Sequence, residues 1–484
     1  MEDRYTGRGV IKRFLLAAFV IVAASASATA IAAWHEVQQV VTAVQGTAHI
    51  KGIDQVIDPA AAGKPQTILL IGSDKRSKNA ADVRTGAFSA DKSSSDTMIL
   101  MRLDPAKGAT ALLSLPRDLK VEIPGHGIAK LNASYALGGA RLTVRTIKAL
   151  TNIHVNHVIN VDFHGFSKAV NALGCIYVDV DRRYYNQSNF YAKIDVPAGY
   201  QRLCGQDALS YVRYRHTDTD IVRSARQQDF LRQIKQQVSA FGLLGKSDQL
   251  LHIFSHYTAS DLRSRSAILR LLKLAIASAG QPIREVHFAA KLGASYVYAR
   301  QTVIARTVRQ FLAAKQSSGP RGGTARTKRR KTKRRVRRVA GLANVSELGR
   351  QEALQAINAR VRVFPVYYPT RLTLGGGFAD QPRVYKVETR EGKRYAAYRM
   401  VFSSGFIGQY YGLQGTTWTS PPILAGPHES HTIHGRRFDY YWDGTRLRLV
   451  AWRSKGAVYW VSNTLLLTLS NNQMSSIAVG AKHL

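Results

Sequence analysis

Hydrophobic residues along this chain fall into three textures. Between residues 66 and about 312, short apolar runs alternate with helical spacing. TILLIGSD (67–74) is a continuous apolar run ending in Gly and Asp, the pattern of a buried strand that delivers polar residues at its C-terminal end. DTMILMRLD (96–104) and ATALLSLPRD (109–118) predict two further strands, the second stopped by Pro116; HVINVDF (157–163) and CIYVDVD (175–181) predict two more. Helices are expected around 141–150 and 166–172. The stretch TDTDIVRSARQQDFLRQIKQQV (217–238) predicts another, with Phe230, Leu231, Ile234 and Val238 spaced by three and four on its inward face. Followed toward the N-terminus, that seam runs through Gln227, Arg226, Arg223 and Asp220, so a buried stripe turns polar where the helix begins. The interleaving predicts an α/β domain, a central mixed sheet with helices on both faces.

The second texture lies at the start. FLLAAFVIVAASASATAIAA (14–33) carries no charge for twenty residues, roughly the thickness of a bilayer's hydrocarbon layer. Arg4, Arg8, Lys12 and Arg13 precede it, which predicts a single-pass anchor at 14–34, a cytoplasmic tail at 1–13 and an exported remainder. A cleaved signal peptide with Ala24-Ser25-Ala26 at its cleavage site is the alternative, and it too exports the body. Residues 35–65 are a spacer. The third texture follows residue 341: short alternating strands, with hairpins expected in 384–402 and 437–465 at the turns Asp443-Gly444 and Lys455-Gly456. Ser470-Asn-Asn-Gln473 has the form of a capping box opening a last short helix. The chain thus divides into a domain at 66–315, a linker at 316–341 and a β-rich, α+β unit at 342–484.

Charge narrows the partners. The 484 residues carry a formal net charge of +38, which points to an anionic partner, and export excludes nucleic acid. Eleven Lys or Arg and no acid stand between Arg321 and Arg338, a self-repelling linker that could hold phospholipid headgroups or anionic wall polymer. Only Cys175 and Cys204 occur; in an exported chain the pair predicts a disulfide, two buried thiols being the alternative. His428, His431 and His434 have a spacing that could ligate metal but suit exposed strand and turn positions better. Trp442, Trp452, Trp460, Tyr440 and Tyr459 could stack on sugars, but fit hairpin packing better.

The chemistry gathers at strand ends and helix starts. IGSDKR brings Asp74 and Arg76, SSSDT brings Asp96, SLPRD brings Arg117 and Asp118, and VRYRHTDTDIVRSARQ brings Arg213, Arg215, Asp220, Arg223, Arg226 and Gln227. Arg213 and Arg215 alternate as on a strand. Loops at the carboxyl ends of strands in an open α/β sheet meet in one crevice. Arginines crowded there need a compensating anion, and guanidinium groups bind phosphate in bidentate fashion. Aspartates beside phosphate suit Mg²⁺, which keeps few carboxylates and completes its shell with phosphate and water.

Residues 67–241 resemble the LytR–CpsA–Psr family of cell-wall glycopolymer ligases. LLIGSDKR, SDTMILMRLD, SLPRDLKVEIPGHGIAKLNASYALGG, VDFHGF, GCIYVDV, GQDALSYVRYRHTDTD and RSARQQDF stand in that family's order and spacing. The resemblance implies an extracellular catalytic domain behind one membrane helix. It also implies transfer of a teichoic acid-like or capsular glycan from a polyprenyl-pyrophosphate carrier to peptidoglycan. By resemblance Asp74 and Asp96 hold Mg²⁺. Arg76, Arg117, Lys130, Asn132, Arg213, Arg215, Arg223, Arg226 and Gln227 surround the pyrophosphate, and Arg117, Asp220 and Arg223 stand at the reaction centre. Ser224 departs from the pattern, where a larger polar residue is expected. Two rival functions use the same residues: a hydrolase that cleaves the pyrophosphate with water, and a membrane-tethered regulator that only holds phospholipid.

Overall fold

The computed structural model of the chain describes residues 35, 37–59, 61, 63–73, 95–188, 193–214, 217–238, 247–279, 281–315, 317, 341–359 and 364–484. The expected tail and anchor at 1–34, nearly all of the basic linker, and Asp74, Arg76 and Arg215 lie outside these residues. No helix among the described residues is long and apolar enough to cross a membrane.

A seven-stranded mixed sheet forms the first unit. Its strands are β1 (Ala48–His49), β2 (Gln66–Ser73), β3 (Ser95–Asp104), β4 (Ala109–Ser114), β5 (His157–Asp162), β6 (Thr258–Ser260) and β7 (Ile283–Val286), in the spatial order β1-β6-β5-β2-β3-β4-β7. β2 pairs β5 in parallel and β3 antiparallel, and β4 pairs β7 in parallel. The apolar run of β2 is two-sided. Leu69 and Ile71 join one core with Leu142, Val144 and Ile147 of helix α1 (Ala133–Thr151) and Phe311 of the helix Gln301–Leu312. Ile68 and Leu70 face the opposite core with Leu271 and Leu274 of the helix Arg265–Ala279. Alternation with period two thus accounts for helices on both faces.

Three helices complete the surroundings of the site: α2 (Phe163–Ala172), α3 (Gly205–Arg213) and α4 (Asp220–Gln237). α4 starts at Asp220, the polar end of the seam and three residues inside the stretch 217–238, because Thr219 is its N-cap and accepts the Val222 N–H. The antiparallel pair Ile176–Val180 and Gly199–Leu203 lies beside α4, and a disulfide joins Cys175 to Cys204 at its end.

An eight-stranded antiparallel sheet forms the second unit, running in space from Gly377–Phe378 to Glu429–Ile433, with the Arg383–Glu388 strand beside Arg394–Ser403. It too is buried on both faces. Tyr459 and Val461 pack toward the helix Asn471–Val479, which opens with the Ser470/Gln473 capping box. Val458 and Trp460 pack against Tyr177 and Tyr200 of the first unit. Trp452, Trp460, Tyr440 and Tyr459 are therefore core, and sugar stacking on them is excluded by burial. His428, His431 and His434 are exposed; His428 Nδ1 accepts the Trp442 N–H.

A buried ion pair crosses the contact between the units: Arg399, wholly inaccessible, reaches Asp179 at 3.1 Å, while Trp460 Nε1 donates to the same carboxylate at 3.1 Å.

Candidate active site

Four strand ends meet along one edge of the first sheet. Ser73 of β2 is in register with Asp162 of β5 and, past an irregularity after Gly72, with Ser95 of β3; Ser114 of β4 is in register with Ile99 of β3. The side chains there are polar. Ser73 donates to Asn160, and Asn160 donates to the Tyr135 hydroxyl at 2.6 Å. Asp96 belongs to β3 and follows Ser95, so its backbone stands where β2 ends.

β4 cannot continue past Pro116, and the chain turns, with Leu119 N–H bonding to the Pro116 carbonyl at 3.1 Å. The turn presents Arg117 and Asp118. Two backbone bonds pin the Lys130–Asn132 segment to it: Asn132 N–H to the Arg117 carbonyl and Leu131 N–H to the Leu119 carbonyl, both 2.9 Å. Lys130 Nζ consequently sits 3.1 Å from Asp118 Oδ1, and Arg117 Nε lies 3.7 Å from Asp118 Oδ2.

The start of α4 closes the site from the other side. Asp220 accepts the Arg117 backbone N–H at 3.0 Å and pairs with Arg223 one turn along. Both Asp220 and Arg223 are buried. Burial raises the Asp220 carboxyl above its usual range; Arg223 and Arg117 pull it down, Asp118 pushes it up, and the net direction is up. Gln227 ties the helix to β3 and α3 by donating to Thr97 Oγ1 at 3.0 Å and the Val212 carbonyl at 3.2 Å. Gln228 donates to Ser114 at 3.0 Å. A small cleft opens beside Asp220, lined by Pro116, Ile221, Ser224 and Phe288 among others, so the small Ser224 leaves room at its wall.

Arg117, Lys130, Asn132, Asp220, Arg223 and Gln227 are thus brought together. Arg213 is placed differently from its reading as a strand residue: it ends α3, and its guanidinium lies 3.9 Å from the centre of the Phe163 ring, at the start of α2. Arg226 is set apart. It is fully buried and donates to the Tyr211 and Tyr214 carbonyls at 3.0 and 2.9 Å and to Asp218, with the Tyr184 ring 4.4 Å away. Those acceptors lie in the last turn of α3 and in the connection from α3 to α4, so Arg226 holds that connection in place rather than facing the crevice. Asp218 pairs with Arg182 as well, at 2.6 Å, and the Arg182 guanidinium lies 5.0 Å from the ring centre of Tyr410 in the second unit. Neither Asp218 nor Gln228 stands out in the sequence beyond the doubled Thr-Asp and Gln-Gln in which they occur. Among the described residues no group of three or more His, Cys, Asp or Glu could hold a metal ion; Asp74 lies outside them.

The profile of the LytR_cpsA_psr family matches residues 20–310, more than half of the chain. The chain belongs to this family. Among curated members, the Bacillus subtilis polyisoprenyl-teichoic acid–peptidoglycan teichoic acid transferase TagT is 30% identical over 260 residues, covering 52% of this chain and 77% of that protein. The Bacillus cereus transferase TagU is 31% identical over 197 residues, 40% of this chain, and the match spans 59% of TagU. Of solved family structures, Bacillus subtilis TagV covers 53% of this chain and 98% of its own, at 26% identity and a TM-score of 0.43. A structure of TagT bound to LI-WTA covers 55% of this chain and 98% of its own, at 23% identity and a TM-score of 0.41. The family match ends at residue 310, before the C-terminal unit.

Proposed function

We propose that this protein transfers a glycopolymer from a polyprenyl-pyrophosphate carrier to peptidoglycan, forming a phosphodiester bond. Family membership and relatives named as teichoic acid transferases support the reaction class. The observation that carries the reading is that the Arg117 backbone N–H and the Arg223 guanidinium, from positions more than a hundred residues apart in sequence, meet on one buried carboxylate, Asp220.

In the mechanism, a peptidoglycan hydroxyl attacks the phosphorus that bears the glycan. The bond from that phosphorus to the bridging oxygen breaks, polyprenyl phosphate leaves with the electron pair, and the hydroxyl proton passes to solvent or to the leaving phosphate. Arg117, Arg223 and Lys130 neutralise the pyrophosphate, and catalysis comes from positioning and charge. Asp220 serves chiefly to orient: its oxygens are committed to the Arg117 N–H and the Arg223 guanidinium. Asp74 and Asp96, which in sequence adjoin the paired residues Ser73 and Ser95, would hold Mg²⁺, and the ion would neutralise phosphate charge. The protein would work at the outer face of the cell membrane, held by residues 14–34 with the N-terminus in the cytoplasm.

Arg117→Ala tests this. The substitution leaves intact the backbone N–H that Asp220 accepts, so the fold should persist while transfer from a lipid-pyrophosphate glycan falls by about two orders of magnitude or more. Unchanged turnover would falsify the assignment. Release of phosphate without polymer attachment in the wild-type protein would favour hydrolysis instead.

A further inference from the structure

Two glycine-bearing loops of the C-terminal unit cross at the end of its sheet. A Cβ on Gly405 would stand 2.7 Å from the Gly375 carbonyl oxygen, and both residues have positive φ, 86° and 78°, so glycine is needed at the crossing. What the crossing presents is apolar. Leu374 is 63% exposed, Phe406 68% and Ile407 79%; the last two are the most exposed large hydrophobic side chains among the described residues. Single exposed apolar residues are ordinary, but a group of three held together on interlocked loops marks a contact surface.

Two further observations say what it contacts. The loop of Phe406 and Ile407 rests against the start of α4 and the turn before it: a Cβ on Gly408 would lie 3.3 Å from both Asp218 Oδ1 and Val222 Cγ2. The Leu374 N–H donates to the Gly341 carbonyl at 2.9 Å, and Gly341 stands three residues after the segment 321–338, which has eleven Lys or Arg and no acid. The most basic stretch of the chain therefore joins the fold next to its most exposed apolar group.

We infer that Leu374, Phe406 and Ile407 form a tip that enters the interfacial layer of an anionic lipid bilayer. Apolar side chains entering the headgroup boundary and adjacent basic charge are the two weak attractions that together hold a protein on such a surface. The inference deepens the proposed transfer and rests on it for its purpose: a tip at the start of α4 would hold the arginine crevice at the membrane level of a prenyl-linked pyrophosphate. The membrane contact itself is testable without turnover.

The full chain would be placed in lipid nanodiscs of phosphatidylglycerol and phosphatidylcholine, with brominated phosphatidylcholine as a quencher. Ile407→Trp, and Phe406→Trp as a second variant, report on the tip; both positions are exposed, so folding is undisturbed. The tryptophan added by each variant should be quenched about twofold in anionic discs, and less when phosphatidylglycerol is replaced by phosphatidylcholine. Arg117→Ala combined with Ile407→Trp should be quenched equally, separating loss of transfer from loss of contact. No quenching beyond that of the wild-type protein in either variant overturns the proposal. So does quenching that does not depend on anionic lipid, and so does quenching that appears only after polyprenyl pyrophosphate is added, which would assign the tip to the substrate chain.

Discussion

The two ends of α4 use arginine in opposite ways. At its N-terminal end, among the described residues, the cations Arg117, Lys130 and Arg223 face two carboxylates, Asp118 and Asp220. Two turns further on, Arg232 meets three carboxylates, Asp229, Glu285 and Asp443, from α4 itself, β7 and the C-terminal sheet, with Arg448 beside them. Burial pulls the Arg232 guanidinium down, but Asp443, Glu285 and Asp229 outweigh it and hold it well above its ordinary value. The Arg399–Asp179 pair nearby is matched one to one. Where acceptors from both units surround arginine, it is a lock between units; where cations from distant parts of the chain gather at strand ends, the cluster suits a ligand anion. The comparison predicts that the two ends fail differently.

The lock should fail in stability. Asp179→Ala strands a fully buried Arg399 and the Trp460 N–H, and should destabilise the protein by about 3–5 kcal/mol while the folded fraction still transfers glycan. Denaturant unfolding combined with a turnover assay at low temperature checks both halves; loss of transfer with unchanged stability would erase the distinction. This is the mirror image of Arg117→Ala. Next in size is the disulfide. It closes the strand pair that carries Asp179 across a separation of 29 residues, so replacing Cys175 and Cys204 together should cost about 3.5 kcal/mol on a loop-entropy argument. Activity at low temperature should survive. A smaller effect belongs to the site end: Thr219→Ala removes the N-cap of α4 and should cost about 1 kcal/mol, visible as a shift in the unfolding midpoint.

Much of this division was legible in the sequence, and the rest was hidden for identifiable reasons. The strands of the first sheet announce themselves because two-sided burial makes continuous apolar runs, as in TILLIG. The polar start of α4 was visible as a change of residue type along one stripe. Arg213 was misplaced because Tyr211, Val212 and Tyr214 look like strand residues. In the structure Tyr211 and Tyr214 pack edge-on against Tyr184, and tertiary contact overrides local preference. A helical seam reports one buried face, whereas α4 also buries Val222 and Ala225 against Leu465 and Leu466 of the C-terminal unit. That docking has no local signal: the strand Ala457–Ser462 reads as half of a hairpin, and only the structure shows it covered on both sides. Arg226 was grouped with the phosphate ligands because sequence spacing cannot separate a side chain that faces a crevice from one that faces the tyrosines behind it.

The subtlest prediction asks to which end Asp220 belongs. Its carboxyl is raised by burial and by Asp118, against the attraction of Arg223 and Arg117. The folded protein therefore holds that proton more tightly than the unfolded chain, whose aspartates titrate near about 3.9. The contribution of this group to stability is fully present below the unfolded value and is lost as pH rises through the higher folded value. Asp220→Asn removes the titration but keeps an oxygen able to accept the Arg117 N–H, so its stability relative to the wild-type protein should rise with pH across that acidic window. Its transfer rate should fall less than that of Arg117→Ala. Urea unfolding of both proteins over a pH series reads the slope directly. If the wild-type protein instead gains on the variant as pH rises, Arg223 and Arg117 over-compensate the burial, and Asp220 is one more half of a lock rather than part of the site.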